Sequence, residues 1–198
     1  RRLPDQIYGL PKRQSSPPSE VGKVPKPSPL GSVDFPFNPL SVALGAEASF
    51  VARTHDMDRN HMMETFRQAH DHQGAAFVEV YQNCNVFNDG AFTAVTAKDK
   101  RESMLIELHH GEPVRFGVND SLCVVLNEYG EASVATVDEV DAERILVHDE
   151  KRRDPSVAFS LSRLADHPAQ PTPIGVFRAV ERSTYDGDLQ RQLVSAVE

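Results

Sequence analysis

The chain has 198 residues, 39% of them hydrophobic and 25% charged, with a net charge of −8. An acidic chain without clustered Lys and Arg is unsuited to phosphate backbones, which excludes nucleic acid as a partner. No apolar run approaches the ~20 residues that cross a bilayer as a helix, so no membrane partner is expected either. The start, Arg1-Arg2-Leu3-Pro4, offers neither an initiator Met nor the apolar core of a signal peptide, and is expected to be a cut end. Two separated cysteines, Cys84 and Cys123, fit a reducing cytosol better than a disulfide scaffold, so a cytoplasmic location is expected.

Nine of the fourteen prolines fall within the first 39 residues, and residues 11–39 therefore read as a long irregular loop. Asn38 then caps a short helix with Pro39 at its first position and Leu40, Ala43 and Leu44 on one face. Residues 49–53 read as a strand. Asp58 or a neighbour starts a helix with Met62, Phe66 and Ala69 on its inner face, and Gly74 is the stop. Residues 76–81 are apolar enough for a central strand in a parallel sheet. Strands joined by helices predict an α/β fold whose parallel sheet is covered on both faces.

The stretch Asn83-Cys84-Asn85-Val86-Phe87-Asn88-Asp89-Gly90 is a turn-rich exit from that strand, where ligands gather in open α/β sheets. From about residue 104 short β-like runs dominate, at 105–108, 114–118, 122–126 and 133–137, with Gly130 marking a hairpin. These runs predict a small β-rich appendage. A helix over 156–165, a strand over 174–179 and a terminal helix over 186–197 follow.

The histidines suggest metal sites that spacing argues against. His109 and His110 are adjacent on a strand and point to opposite faces. His70 and His72 lie about 200° apart on a helix of 3.6 residues per turn. Both pairs are expected on solvated faces. Cys123 in Leu122-Cys123-Val124-Val125 reads as a core cysteine. Cys84, taken alone, is more often a buried small hydrophobe than a ligand.

An ordered series of motifs carries a resemblance. Residues 5–19, Asp5-Gln6-Ile7-Tyr8-Gly9-Leu10-Pro11-Lys12-Arg13-Gln14-Ser15-Ser16-Pro17-Pro18-Ser19, resemble the pattern Asn-x-x-Tyr-Gly-x-Thr-x-Gly-Gln-x-Ser-Pro-Thr-Ser. Then come Phe35-Pro36-Phe37-Asn38-Pro39, Leu44-Gly45-Ala46-Glu47, Phe77-Val78-Glu79-Val80-Tyr81-Gln82-Asn83-Cys84 and His110-Gly111-Glu112-Pro113. Together they resemble the beta subunits of 2-oxoacid:ferredoxin oxidoreductases, of the 2-oxoglutarate type. The resemblance implies part of a thiamine-diphosphate-binding α/β fold over residues 1–83, followed over 84–198 by the C-terminal extension typical of these beta subunits. It implies oxidative decarboxylation of a 2-oxoacid to acyl-CoA and CO2 with reduction of ferredoxin, in a heterodimer with an alpha subunit. The implied cofactors are thiamine diphosphate, Mg2+ and a 4Fe-4S cluster; the implied partners are the alpha subunit, ferredoxin, the 2-oxoacid and coenzyme A.

Carried over residue by residue, the resemblance makes Asp5 and the Ile7 carbonyl magnesium ligands, oxygen donors suited to a hard ion. Gly9 becomes a close-approach position, where a Cβ would crowd the cofactor. Gln14 also borders the cofactor. Lys12 is expected in the reaction centre, facing the diphosphate or the substrate carboxylate. Cys84 is expected to be one thiolate of the cluster, since iron in such clusters takes thiolate sulfur. Three positions depart from the family: Asp5 stands in place of Asn, Pro11 in place of Thr and Arg13 in place of Gly. They motivate a second expectation, an inactive fragment or degenerate homologue that only binds its partner subunit.

Overall fold

A computed structural model describes residues 7–8, 14–15, 30, 33, 35–83, 89–90, 92–97, 99–166 and 171–196. Near the N-terminus β1 (Ile7–Tyr8) and β2 (Gln14–Ser15) form a two-residue antiparallel ladder. The first helix, α1 (Pro39–Gly45), begins as the sequence predicts: the Asn38 side chain accepts from Ser41 N at 3.0 Å and Pro39 opens the first turn. The Asn38 amide also donates to Ser162 O at 3.2 Å and to Asp166 Oδ1 at 2.9 Å, tying α1 to the C-terminal end of α5 (Ser156–Leu164).

β3 (Phe50–His55) is buried along its whole length, and α2 (Arg59–Asp71) follows with the Asp58 carboxylate accepting from His61 N. The expected inner face of α2 is rotated. Thr65 is its buried residue and Phe66 is 44% exposed, so the stripe runs through His61, Thr65 and Ala69 rather than through Phe66. A period of 3.6 fits either choice of stripe. The polar contact of His61 Nδ1 with Thr54 Oγ1, 2.8 Å, is consistent with the observed one.

β4 (Ala76–Tyr81) has the predicted bounds and pairs in parallel with β3 from Phe50↔Ala76 to His55↔Tyr81. Two short helices, α3 (Thr93–Thr96) and α4 (Arg101–Met104), lead into β5 (Leu105–Leu108). β9 (Thr172–Ala179) completes the sheet in the order β4-β3-β9-β5. The sheet is mixed. β3 and β4 run parallel, β9 and β5 run parallel, and the central β3–β9 pair is antiparallel. β4 therefore lies at the edge of the described sheet, not at its centre, and its N-terminal Ala76 is exposed. β5, expected in the appendage, belongs to the main sheet. Both sides of the 83/84 division contribute strands to it. Alternation and apolar content report a half-buried or buried strand, but they carry no information on its neighbours or direction.

The remaining strands, β6 (Arg115–Phe116), β7 (Leu122–Leu126) and β8 (Ala132–Thr136), form an antiparallel sheet. The β7–β8 turn is held by Asn127 Oδ1, which accepts from Tyr129 N and Glu131 N, and Gly130 supplies the positive φ of 79°. β6 is shorter than the predicted 114–118 because Gly117, at φ 85°, turns the chain into a 3-10 turn. Cys123 is fully buried there with Val125 and Ile145, a core cysteine as predicted. One core joins α1, α5 and one sheet face through Leu40, Leu44, Val51, Leu161 and Phe177, and it reaches β7 through Val124. The opposite face, with Phe50, Ala52 and Val176, packs against Ala69 of α2. The last helix, α6 (Tyr185–Ser195), is capped by Thr184 and has no buried residue. Among the described residues no helix is long and apolar enough to cross a membrane.

Candidate functional site

The parallel β3–β4 pair delivers both chain exits to one end of the sheet. Charged residues lie just before that end, in the middle of both strands. Arg53 and Glu79 are direct register partners, fully buried, with Arg53 Nε donating to Glu79 Oε2 at 2.6 Å. Arg53 Nη1 donates to Pro173 O at 3.2 Å. Its guanidinium carbon lies 5.1 Å from the Tyr81 ring centroid and 5.5 Å from that of Phe177, within cation–π range. Among the described residues, Arg53 Nη2, Glu79 Oε1 and Thr172 Oγ1 are buried without a hydrogen-bond partner. Burial pushes the Glu79 carboxyl above its usual range, and Arg53 opposes that rise without cancelling it. Beyond the pair, Tyr81 stacks on Phe92 at 4.6 Å in a small apolar cluster with Val95, Leu105 and Ile174.

At the strand ends the chemistry turns polar. His55 is buried and stacks on His61 at 6.3 Å between centroids. Burial lowers both imidazole pKa values; at His55 the Arg101 charge adds to the effect. Asp56 N donates to Tyr81 O, and Asp56 Oδ2 accepts from Asn83 N at 3.0 Å, so the two exits are bonded to one another. The Asn83 side chain then spans the chain. Its Nδ2 donates to Asp89 Oδ1 and its Oδ1 accepts from Gly90 N, each at 2.9 Å. A cavity of about 200 Å³ lies against this cluster, bounded by Asp56, Met57, Asn83, Asp89, Phe92 and Thr93.

Of the residues singled out in the sequence, Asp5, Gly9, Lys12 and Cys84 lie outside the described residues. Ile7 and Gln14 are brought together: Ile7 pairs with Ser15 and Tyr8 with Gln14, so both flank residues 9–13 at the base of one antiparallel ladder. The donor types suit the implied groups. Asp5 carboxylate and Ile7 carbonyl are the hard oxygens that Mg2+ takes, and a Cys84 thiolate is the soft donor that iron takes. The second cysteine is sealed in the β7–β8 core, its Sγ donating to Ala135 O at 3.6 Å. Of the histidines expected on solvated faces, His72 departs: it is partly buried, its Nε2 2.8 Å from Ser49 Oγ and its ring 5.4 Å from that of Phe50. His109 lies 3.6 Å from Glu107 and His110 lies 3.6 Å from Asp149, all four half-exposed. Among the described residues no group of three metal-ligating side chains forms.

Sequence reasoning passed over Arg53, Glu79 and the Asn83 side chain. A signal existed for the first two: a cation and an anion each interrupt an otherwise apolar strand, Phe50-Val51-Ala52-Arg53 and Phe77-Val78-Glu79-Val80. Opposite charges at such positions imply pairing, because an unpaired buried charge is too costly.

Comparison with known proteins extends the resemblance. No protein-family model matches the chain. The chain is 50% identical over 192 residues to a 2-oxoglutarate oxidoreductase subunit KorB from Mycobacterium tuberculosis, covering 97% of this chain and 51% of that protein. It is 34% identical over 108 residues to a 2-oxoacid:ferredoxin oxidoreductase subunit beta from a Sulfolobus species, covering 54% of this chain and 35% of that one. A solved 2-oxoglutarate:ferredoxin oxidoreductase from Magnetococcus marinus, with 2-oxoglutarate, coenzyme A and succinyl-CoA bound, has a chain of like fold. Its TM-score is 0.64 at 20% identity, over 98% of this chain and 51% of that one. The chain thus spans about half the length, or less, of these relatives. Along nearly its full extent the chain is thus similar in sequence to about half of a 2-oxoacid:ferredoxin oxidoreductase beta subunit, and similar in fold to about half of a chain of a 2-oxoglutarate:ferredoxin oxidoreductase.

Proposed function

We propose that the chain is part of a beta subunit that, with an alpha subunit, oxidatively decarboxylates a 2-oxoacid to acyl-CoA and CO2 and reduces ferredoxin. The proposed substrate is 2-oxoglutarate, and the proposed setting is a cytoplasmic heterodimer. The observation that carries the reading is the 50% identity to a KorB subunit over 97% of the chain.

Thiamine diphosphate with Mg2+ supplies the electron sink for decarboxylation when bound, and a 4Fe-4S cluster supplies single-electron steps. The chain's own residues do the holding. Asp5 and the Ile7 carbonyl ligate the magnesium, Gly9 leaves room for the cofactor, and Gln14 borders it from the facing strand. Lys12 places a positive charge in the reaction centre, at the diphosphate or the substrate carboxylate, where it offsets negative charge. Cys84 gives its thiolate to the cluster. The β1–β2 ladder supports a common loop for Ile7 and Gln14, since it fixes both at the base of residues 9–13. The exit of β4 supports a ligand role for Cys84, which directly follows the bonded strand ends at Asp56 and Asn83.

The test is reconstitution. The full-length beta subunit, expressed together with its alpha subunit, is expected to reduce a viologen dye only when 2-oxoglutarate and coenzyme A are both present. No turnover with any 2-oxoacid would overturn the enzyme reading in favour of a partner-binding homologue. Cys84→Ser in that complex is expected to remove the EPR signal of the reduced cluster.

A further inference from the structure

We infer that α2 is an acid-released clamp: histidines fasten both of its ends to β3, and the helix comes away from the sheet when they take up protons. α2 runs back along β3, so its start meets the end of that strand and its far end meets the start. At the first junction His61 Nδ1 lies 2.8 Å from Thr54 Oγ1. The His61 ring also stacks on that of His55, at 6.3 Å between centroids and 17° between planes. His55 is 1% exposed, and among the described residues its Nδ1 has no hydrogen-bond partner. At the second junction His72, the C-cap of α2, sets its Nε2 against Ser49 Oγ and its ring against Phe50. The Ser49 hydroxyl donates to Ala75 O, so His72 Nε2 is the donor to Ser49.

The contact between these junctions is thin. Thr65 is the buried residue of α2, and Ala69 packs on Phe50, Ala52 and Val176. Met63 and Phe66 are 51% and 44% exposed and add little to the seam. The helix therefore depends on its two ends. The first end adjoins the candidate site: the Asp56 carboxylate, next to His55, holds Asn83 N, so release of α2 would also loosen the joined exits of β3 and β4.

Both junctions oppose a charge. Burial disfavours the imidazolium at all three histidines and lowers each below 6.5. At His55 the Arg101 cation of α4 and His61 add to that effect, against weaker help for the proton from Asp58 and Asp56. His61 faces Glu107 of β5 and Asp58, which favour the proton, and His109, which opposes it; burial outweighs them. His72 shares a cleft with Asp71, Glu181 and Arg182. Undocking opens the rings to water and removes the burial penalty. Groups whose pKa is lowered in the docked state hold it together above the ordinary histidine value and lose that hold as pH falls. Each histidine that gains a proton only on release raises the open population by up to about tenfold per pH unit.

Hydrogen–deuterium exchange of the full-length protein tests this from about pH 7.5 down to about pH 5.5, corrected for the intrinsic pH dependence of amide exchange. The α2 peptide is read against α5, which serves as the internal reference for global opening. Protection in α2 is expected to fall at least about tenfold further than in α5 over that range. His61→Gln/His72→Gln removes two titrating rings but keeps a hydrogen-bonding amide at each junction, and should lose most of the excess fall. Arg101→Gln changes no residue of either junction and is the variant to use if the double one fails to fold. It lifts a charge that opposes the proton on His55, so α2 should open less on acidification than in the wild-type protein. Equal falls in α2 and α5 of the wild-type protein would overturn the inference. So would undiminished acid sensitivity of α2 in either variant.

Discussion

Arg53→Met probes what holds the centre of the sheet. In the native chain the Arg53 guanidinium has no solvent exposure and sits 2.6 Å from Glu79 Oε2. The substitution keeps an unbranched apolar stem between Tyr81 and Phe177 but leaves the buried Glu79 carboxyl without its cation. Removing one partner of a buried pair costs about 3–5 kcal/mol. For a chain of this size that corresponds to a fall of roughly 6–20 °C in Tm. The loss has a pH signature. Burial already raises the Glu79 carboxyl above its ordinary value of 4.5 and Arg53 pulls it back, so without Arg53 it rises further. An acid with a raised folded-state pKa gives stability that is present below its unfolded value and lost as pH climbs through the folded one. The gap between variant and wild type should therefore be small near an ordinary carboxylate pKa and widen as pH rises through the raised folded-state value. Urea unfolding followed by circular dichroism across that range measures it. A gap below about 1 kcal/mol at every pH, or one of constant size, would refute the reasoning.

Other residues give independent tests. Asn38→Ala removes a helix cap and two long-range hydrogen bonds at once; the expected loss is about 2–4 kcal/mol in urea unfolding, from a cap worth roughly 1, a buried carbonyl left unpaired and a lost bond to Asp166, which keeps its ion pair with Arg163. Asn38→Asp keeps the cap acceptor but sets a carboxylate against Asp166, and should recover only part of that loss. His148 is buried, its Nε2 donating to Val176 O at 2.7 Å, and burial lowers its pKa below 6.5 despite that bond. A lowered folded-state pKa gives stability that is present above the unfolded value and lost as pH falls, by up to about 1.4 kcal/mol per pH unit. His148→Gln should flatten the stability profile below the ordinary histidine pKa, and an unchanged slope would show that His148 does not titrate with unfolding.

Local rules made the elements legible, and they fell silent on what the elements do to each other. The Asn38-Pro39 start of α1, the Asp58 cap of α2 and the Gly130 hairpin are encoded within four residues, and each is where the sequence places it. The antiparallel β3–β9 pairing joins segments more than a hundred residues apart, and nothing within either strand specifies it. The same distance hides the second task of Asn38, whose amide meets Ser162 and Asp166 across the core. The family motifs identified Asn38 and Cys84 as noteworthy without saying which contacts make them so. Asn83 escaped notice because an Asn in a turn already has a local explanation, and only the fold shows its side chain reaching Asp89 and Gly90.

The Arg53–Glu79 pair has a consequence for the loop it precedes. β3 and β4 pair without a shift from Phe50↔Ala76 to His55↔Tyr81, and the strand exits meet just beyond, at Asp56 and Asn83. A slip of one residue would turn Glu79 to the opposite face of the sheet, away from Arg53, and would part Asp56 from Asn83. A purely apolar pair at the same positions would tolerate that slip more readily. Buried charges of this kind contribute little net stability, and an apolar replacement of both is often neutral or stabilising by about 1–4 kcal/mol. The double variant Arg53→Met/Glu79→Leu is therefore expected to match or exceed wild-type stability. It should nonetheless relax the register, seen as doubled or broadened amide NMR resonances for Asn83 and Gly90 with sharp signals retained in α5. Single, unshifted Asn83 and Gly90 resonances in the double variant would show that apolar packing alone aligns the two strands, leaving the ion pair no part in setting where their exits meet.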